Sequence, residues 1–320
     1  MASPNLSEIT TTTIRSRTRQ LSDNVSDNTA LLMRLKQRDK IRTVSGGETI
    51  LQELEYAENA TYKRYSGYEV LNINPSDVFT AAEFQWKQAA VAVSISGLEQ
   101  LQNSGRERMI DLLESRIGNA ERTFVNNLST DIYSDGTADG GKQIGGLASL
   151  VSTSPTTGTV GGINRANFAF WRNQVNTGTL ASIDADILGD MRDAWVKQVR
   201  NSDRPDLIIG DNVTYNAFWG ALQNQQRFAR DDRATMGFDA LKFNTADVVL
   251  DGGLGGSAPA NTMYFLNTNF IFFRPHRDRD MVPLDPDRFA TNQDAMVKLI
   301  GWAGNMTLSN AELQGVLTYS

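Results

Sequence analysis

Apolar side chains recur at steps of three and four after residue 104, which is the spacing of one face of an α-helix. Ser104 followed by Glu107 has the capping-box pattern that begins a helix. The pattern predicts one long helix with a shorter helical piece before it, around Leu98 and Leu101. The predicted buried face of the long helix consists of Met109, Leu112, Leu113, Ile117, Ala120, Phe124 and Leu128.

The stretch at 46–71 predicts a β-hairpin. Residues 48–58 alternate with a period of two and predict its first strand, a turn follows, and the return strand is predicted within 62–73. The first strand places Ile50 and Leu54 on one side and Glu53 and Glu55 on the other. Neither strand has a strong apolar face, and a two-stranded hairpin is marginally stable alone in water. The hairpin is therefore predicted to lie against another surface.

The remaining segments mix strands and helices without βαβ alternation. Alternating apolar residues predict strands within 78–95, and an apolar stripe predicts a helix at 184–201. The continuous apolar run in 205–212 predicts a buried strand. A strand, an Asn-Thr-Asn turn and a second strand are predicted at 262–273, and strands around a glycine turn at 295–320. The predicted class is α+β.

Charge is distributed unevenly along the 320 residues, whose net charge is −6. Residues 1–42 contain eight basic and four acidic residues, a net +4, which leaves −10 on residues 43–320. The first thirty residues are rich in Ser, Thr and Asn and predict an extended arm. Its bases predict contact with an acidic surface or with nucleic acid, and a solvated helix face is the alternative.

Cysteine and histidine, which many catalytic and metal sites use, are scarce. The chain has no cysteine and a single histidine, His276, which excludes disulfides, cysteine zinc sites and multi-histidine metal sites. A calcium-loop pattern that starts at Asp135 has Gly146 where the bidentate Glu is required. No apolar run is long enough for a transmembrane helix, and the N-terminal region lacks the apolar centre of a signal peptide. We expect no cofactor, no metal, no membrane association and no enzymatic activity.

The order of these elements resembles the major capsid protein of tailed phages of the Hong Kong 97 type. The resemblance covers the whole chain and rests on several stretches in sequence order. These are SGLEQLQNSG before the long helix, NLSTDIYSDGT after it, DLIIGDNVTYNAF and MYFLNTNFIFF in the centre, and NQDAMVKLIGWAGNMTLSNAELQGVL at the end.

This resemblance implies an α+β, Hong Kong 97-like map of the chain. Residues 1–42 would be the N-terminal arm and residues 43–76 the extended β-hairpin loop that reaches a neighbouring subunit. The peripheral domain would consist of 77–149 and 281–320, with a spine helix at about 97–132. The axial domain would span 150–280.

The implied function is a structural one. The chain would self-assemble into hexamers and pentamers of an icosahedral phage head, and the head would enclose double-stranded DNA without sequence-specific binding. Its partners would be copies of itself, a separate scaffold protein and a portal, with a cement protein left open. It would assemble in the bacterial cytoplasm and reside in the virion. The shell of a bacterial nanocompartment or of a gene-transfer-agent particle remains the alternative, whereas an enzyme has no supporting motif.

Contacts between subunits are expected from the arm, the hairpin and the charged cluster at 274–283. Gly46 and Gly47 are the predicted hinge of the hairpin, and deletion of residues 48–72 is expected to leave a folded subunit. No covalent cross-link is expected, because no Asn or Glu partner can be identified for Lys63. The candidate contact residues are Arg15, Arg17, Arg19, Glu53, Glu55, Tyr56, Tyr62, Lys63, Arg64, Tyr65, Arg277 and Arg279.

Overall fold

The computed structural model describes residues 29–98, 106–224, 241–251, 256–289 and 295–320, and these form a mixed α+β architecture. The helices are α1 (Ala30–Gln37), α2 (Arg106–Asp131), α3 (Ala138–Gly141), α4 (Leu147–Leu150), α5 (Ile183–Lys197) and α6 (Asn212–Asn224). Short 3-10 turns lie at Ala169–Trp171, Leu180–Ser182 and Thr268–Phe270. The strands are β1 (Ile50–Glu55), β2 (Phe79–Phe84), β3 (Lys87–Ser96), β4 (Thr159–Val160), β5 (Ile163–Asn164), β6 (Gln174–Gly178), β7 (Leu207–Gly210), β8 (Leu241–Phe243), β9 (Ala246–Leu250), β10 (Thr262–Leu266), β11 (Ile271–Pro275), β12 (Val282–Phe289), β13 (Ala295–Leu308) and β14 (Gly315–Tyr319).

A six-stranded sheet with the order β6-β14-β10-β7-β9-β8 separates two hydrophobic cores. The pairs β6–β14 and β7–β9 are parallel and the other pairs are antiparallel. Because side chains alternate along a strand, β7 places Ile208 in one core and Leu207 and Ile209 in the other. Both faces of the sheet are covered, which explains why β7 is a continuous apolar run.

Helices α5 and α6 cover one face of this sheet. The predicted stripe of α5 is confirmed for Ile187, Met191 and Trp195, which are buried against the sheet. The fourth member of the predicted stripe, Val199, lies beyond the end of the helix and is 39% exposed. Phe218 of α6 is fully buried in the same core.

Helix α2 packs against β3 of a four-stranded sheet. In this sheet β13 pairs with β11 and β12, which follow each other along the chain, and also with β3. Side chains from Ile117 onward confirm the predicted helix face, because Ile117, Ala120, Phe124 and Leu128 are all buried. The Ser104 capping box, Leu101, and the side chains of Met109, Leu112 and Leu113 lie outside the described part of the structure.

Strands β1 and β2 form a separate two-stranded ribbon, paired antiparallel from Ile50–Phe84 to Glu55–Phe79. The predicted return strand within residues 62–73 was wrong, because that segment contains no strand. The ribbon buries Ile50 and Leu54 together with Phe84, so its base belongs to the main core. Strand β2 supplies Ala82 and Phe84, whose buried side chains continue this face.

The chain is already part of the folded body from residue 29 onward. In α1, Leu31, Leu32 and Leu35 are at most 1% exposed. Residues 41–44 then run parallel to β11 through isolated bridges. The last third of the expected arm over 1–42 thus packs on the folded body, and residues 1–28 lie outside the described residues.

The strand–turn–strand segment at 262–273 does not form a hairpin. Strand β10 belongs to the six-stranded sheet and β11 to the four-stranded sheet, so the turn between them connects two layers. The Asn267 side chain accepts a hydrogen bond from the backbone N–H of Asn269 and shapes this turn.

The expected glycine turn near the end of the chain is also wrong. Gly301 and Gly304 both lie inside the single strand β13, and the turn comes later, at 309–314. A Cβ atom at Gly304 would lie 2.6 Å from the Trp302 ring and 2.7 Å from the Arg274 carbonyl oxygen. Glycine therefore serves close packing at this position rather than chain reversal.

The sheets do not follow the expected domain boundaries. Residues 77–149 and 281–320 were expected to form the peripheral domain, and residues 150–280 the axial domain. Strand β14 lies between β6 and β10 in the six-stranded sheet, so the end of the chain joins the segment expected to be axial. Strand β11, expected in the axial segment, pairs instead with β13.

Candidate functional site

Residues 56–78 form a loop beyond the ribbon, and none of their side chains is buried. Tyr62 is 79% exposed, Ile73 is 89% exposed and Tyr68 is fully exposed. Large apolar side chains gathered in one exposed segment are typical of an interaction surface. The exposed large side chains are Tyr62, Tyr65, Tyr68, Val70, Leu71 and Ile73, with Phe79 at the end of the ribbon.

Contacts within the loop are few and lie at the surface. Lys63 Nζ is 3.0 Å from a carboxylate oxygen of Glu69, and both side chains are about half exposed. The Arg64 guanidinium lies 6.0 Å from the centre of the Tyr62 ring. Such exposed pairs contribute little to stability, so the loop is held mainly at its two ends.

The ribbon has one buried face and one acidic face. On the buried face, the amide oxygen of Gln52 accepts hydrogen bonds from Arg274 (3.0 Å) and from the Thr307 hydroxyl (3.2 Å), which fastens the ribbon to the four-stranded sheet. The opposite face is exposed and presents Glu53 and Glu55. Strand alternation explains this division, as the sequence pattern predicts. The other exposed side chains of this face are Leu51, Phe79, Ala81 and Glu83.

Tyr56 packs partly against its own chain. Its ring centre is 5.4 Å from that of Phe170, and the side chain remains 37% exposed. It lines a cleft of about 550 Å³ between the ribbon and the turn after β13. Arg200 and Glu312, 3.8 Å apart, lie in the same cleft.

The predicted hinge has the backbone geometry that glycine permits. Gly46 and Gly47 have φ values of 148° and 119°, a region that other residues rarely adopt. The indole N–H of Trp86 donates a 2.9 Å hydrogen bond to the Gly47 carbonyl oxygen. The ring of His276 packs edge-on against Trp86 at 5.2 Å. Trp86 and His276 therefore hold the point where the chain enters the ribbon.

Arg277 and Arg279 lie in the exposed turn between β11 and β12. The Arg277 backbone N–H donates to the Val44 carbonyl oxygen, which leaves the side chain at the surface. His276 Nδ1 accepts from the Asp278 backbone N–H at 3.1 Å, so this nitrogen is engaged within the turn. The remaining candidates, Arg15, Arg17 and Arg19, lie outside the described residues.

Sequence reasoning missed the anchor that fixes α1 to the central sheet. Arg34 Nε lies 3.0 Å from Asp206, its NH2 group lies 3.1 Å from Asp247, and Arg38 lies 3.2 Å from Asp206. The Asp206 carboxylate also accepts a 2.7 Å hydrogen bond from the Thr268 backbone N–H. The signal in the sequence was the spacing of Arg34 and Arg38, one helical turn apart. Their partners are too distant along the chain to infer.

The polar side chains of Arg165, which is buried, and Asp251, which is half-buried, have shifted pKa values and are engaged in hydrogen bonds within the chain. Burial lowers the pKa of Arg165 to about 10, and its guanidinium donates to the carbonyl oxygens of Ser149, Leu150 and Trp171. Burial raises the pKa of Asp251, which accepts a hydrogen bond from the Tyr133 hydroxyl. Each group therefore fastens one segment of the chain to another.

Within the described ranges, no group of three or more His, Cys, Asp or Glu side chains is arranged to hold a metal ion. No helix in that part of the chain is both long and apolar enough to span a bilayer. The exposed loop, the ribbon and the nearby charged turn are thus the candidate functional surface.

No family model matches this chain, and no curated protein matches it. Solved structures do match over most of its length. The cyanophage A-1(L) capsid asymmetric unit has a TM-score of 0.62 at 16% identity and covers 88% of this chain and 90% of that chain. The capsid of an empty GTA particle has a TM-score of 0.58 at 11% identity, with 88% and 89% covered. Microbacterium phage Oxtober96 has a TM-score of 0.56 at 10% identity, with 91% of each chain covered. The chain therefore has the α+β fold seen in phage capsids.

Proposed function

We propose that this chain is the major capsid protein of a tailed-phage head of the Hong Kong 97 type. Copies of it would form the hexamers and pentamers of an icosahedral shell around double-stranded DNA. One observation carries the proposal: a capsid fold over 88% of the chain combined with an exposed apolar loop that its own subunit does not cover. Structural shell proteins need no catalytic group, and the proposed role is not enzymatic.

The proposed mechanism of assembly is surface complementarity. The loop at 56–78 would lie on a neighbouring subunit, where its tyrosines supply broad amphipathic contacts and its charged residues set the register. Gly46 and Gly47 would let the ribbon adjust its direction. Many weak contacts, repeated around a closed shell, give a stable particle without any single strong contact.

The proposal includes further partners. A separate scaffold protein would guide assembly in the bacterial cytoplasm, and a portal would occupy one vertex of the shell in the virion. Arg15, Arg17 and Arg19 would bring the N-terminal segment against an acidic surface of a neighbour. Arg277 and Arg279 would face an adjacent subunit from the exposed turn. We propose no covalent cross-link between subunits.

The shell of a gene-transfer agent is the second candidate, and it is favoured by the likeness to a GTA particle capsid at a TM-score of 0.58. A bacterial nanocompartment with the same fold is a third arrangement of the same subunit. The contents of purified particles distinguish these functions, because a phage head contains its genome, a gene-transfer agent contains host DNA and a nanocompartment contains enzymes.

Electron microscopy of the expressed protein tests the proposal directly. The protein is expressed alone and together with scaffold candidates encoded beside it, and particles are isolated by sedimentation. We expect closed shells of uniform diameter with hexameric and pentameric units in averaged images. Monodisperse monomers that never form shells under either condition would contradict the proposed function.

A further inference from the structure

Three cationic side chains converge on the ring of Phe272. The Lys40 ammonium lies 5.1 Å from the ring centre, the Arg42 guanidinium 5.6 Å and the Arg274 guanidinium 4.8 Å. Phe272 is only 8% exposed, so these side chains contribute to its cover. We call Lys40, Arg42 and Arg274 the cationic patch.

No carboxylate in the described part of the chain forms an ion pair with the cationic patch. Arg274 donates to Gln52, and its Nε is buried without a hydrogen-bond partner among the described residues. Burial and the neighbouring Arg42 lower the pKa of Lys40, which Asp39 only partly counteracts, and the same two causes lower the pKa of Arg274. Like charges held together without a counter-ion create a strong field that favours an anion.

The spacing of the cationic patch indicates the shape of that anion. The segment that contains Lys40 and Arg42 is extended, because Arg42 N–H donates to the Phe273 carbonyl oxygen (3.0 Å) and Val44 N–H to the Pro275 carbonyl oxygen (2.9 Å). Two residues along an extended chain span ~6.5–7 Å and point to the same side. Lys40 and Arg42 therefore place two positive charges at this spacing on one side of the segment.

Two negative charges with the same spacing lie on the ribbon. Glu53 and Glu55 are two residues apart on the exposed face of β1, and neither has an ion-pair partner among the described residues. They cannot reach the patch of their own subunit, because Gln52, which contacts Arg274, lies on the opposite face of the same strand. Only another copy can bring these carboxylates to the patch.

We propose that the cationic patch is an anion-recognition site for carboxylates of a second copy of this chain, namely Glu53 and Glu55 on its ribbon. The inference rests on the proposed assembly function and names one pair of contacting surfaces. A nucleic-acid backbone fits less well, because the chain is acidic overall, with a net charge of −6. Three cations also provide few phosphate contacts. Cross-strand pairs of opposite charge give both register and association energy.

A charge-swap experiment tests the contact. One variant reverses the ribbon (E53K with E55K), one reverses the patch (K40E with R42E), and a third combines all four changes. D184K with D193K is the matched control, since it makes the same charge change at exposed positions on α5, outside the ribbon, the loop and the patch. Circular dichroism and melting curves establish that each variant folds.

We expect each single-surface variant to associate at least about tenfold more weakly, a loss of ~1.4 kcal/mol, and the combined variant to recover. The control should assemble normally. Particle yield from sedimentation and microscopy is the readout. Folded variants that all assemble like the wild type, or a combined variant that fails to recover, would overturn the contact and leave the proposed shell function intact.

A second readout applies if the wild type forms no particles, an outcome that counts against the proposed function alone. Sedimentation equilibrium then measures the self-association of the wild type, of the ribbon-reversed variant, of the patch-reversed variant and of the combined variant. Weakened self-association in each single-surface variant and recovery in the combined variant support the contact, and no self-association of the wild type overturns it. Binding of a short DNA duplex that is lost in K40E with R42E but unchanged in E53K with E55K would assign the patch to phosphates and overturn the proposal.

Discussion

At the scale of single residues, buried polar side chains fasten the joints between layers. The Asn305 side chain accepts from the Gly145 backbone N–H (3.1 Å) and donates to the Gln85 carbonyl oxygen (2.8 Å). Gln314 similarly connects the last turn to the backbone of Asn267, accepting and donating one bond each. Removing one partner of such a bond leaves a buried group unsatisfied, which costs about 1–3 kcal/mol. These joints therefore determine how the layers are arranged.

Phe124 tests the predicted face of the long helix. Its side chain is 6% exposed within the main core, so Phe124→Ala should lower the free energy of unfolding by about 3–5 kcal/mol. Denaturant titration measures the change. Asn126→Ala, at an exposed position on the same helix, is the matched control and should have little effect. An unchanged unfolding midpoint for Phe124→Ala would contradict the buried face.

The raised pKa of Asp251 predicts how the stability of the protein depends on pH. Its pKa is raised by burial, so the folded state favours the protonated form. The contribution of the Asp251 carboxyl to the free energy of unfolding is fully present below the ordinary pKa of about 3.9. It is lost as the pH rises through the raised pKa of the folded state. Asp251→Asn removes this loss and keeps an oxygen that can accept from Tyr133.

The measurement compares melting temperatures of Asp251→Asn and the wild type at about pH 4 and about pH 7. We expect the variant to gain stability relative to the wild type at the higher pH. A difference between the two proteins that is the same at both pH values would show that the Asp251 carboxyl does not titrate differently in the folded state.

At the scale of elements, local patterns predicted the segments whose partners are close in sequence or whose faces are strongly apolar. The stripe of α5 and the apolar run of β7 needed no knowledge of distant residues. The return strand was mispredicted because the tyrosines and Val70 in 62–73 have high β-propensity, whereas the true partner β2 buries Phe84 beside Ile50.

The candidate surface was predictable to a similar extent. Alternation alone placed Glu53 and Glu55 on an exposed face. The cationic patch could not be inferred, because Lys40 and Arg42 meet Arg274 only after β11 has aligned with the chain near residue 41. Contacts between residues that distant leave no local periodicity in the sequence.

The loop and the ribbon base should respond differently to deletion. Replacing residues 57–77 with a short Gly-Ser turn should leave the melting temperature nearly unchanged, because no side chain of the loop is buried, and should abolish shell formation. Deleting residues 48–72 removes β1 with buried Ile50 and Leu54, each of which contributes about 2–5 kcal/mol. That deletion should unfold the subunit, contrary to the expectation from the sequence.

Circular dichroism and particle assays check both deletions together. A shortened loop that still yields normal shells would remove the loop from the assembly surface. A folded protein lacking residues 48–72 would show that the ribbon base is not part of the core.

At the scale of the whole molecule, the six-stranded sheet belongs to both cores. Loss of either core exposes one face of the same strands, so the two cores should unfold together. We expect a single calorimetric transition for the wild type, with equal calorimetric and van't Hoff enthalpies. Ile208→Ala, which truncates a fully buried side chain in the smaller core, should shift this transition to lower temperature without splitting it. Two resolved transitions would show that the cores are independent domains.

The loop between Glu55 and Phe79 also sets a length scale for its partners. Both of its ends are fixed side by side at the tip of the ribbon, so only half of its residues contribute to reach. About 11 residues at ~3.4 Å each span roughly 35–40 Å, which exceeds the radius of gyration of about 20 Å expected for a compact chain of this size. Such a tether has slack. In the proposed shell, this slack would let the distance and angle between neighbouring subunits vary, and hence the curvature, while the tip of the loop keeps the same contact.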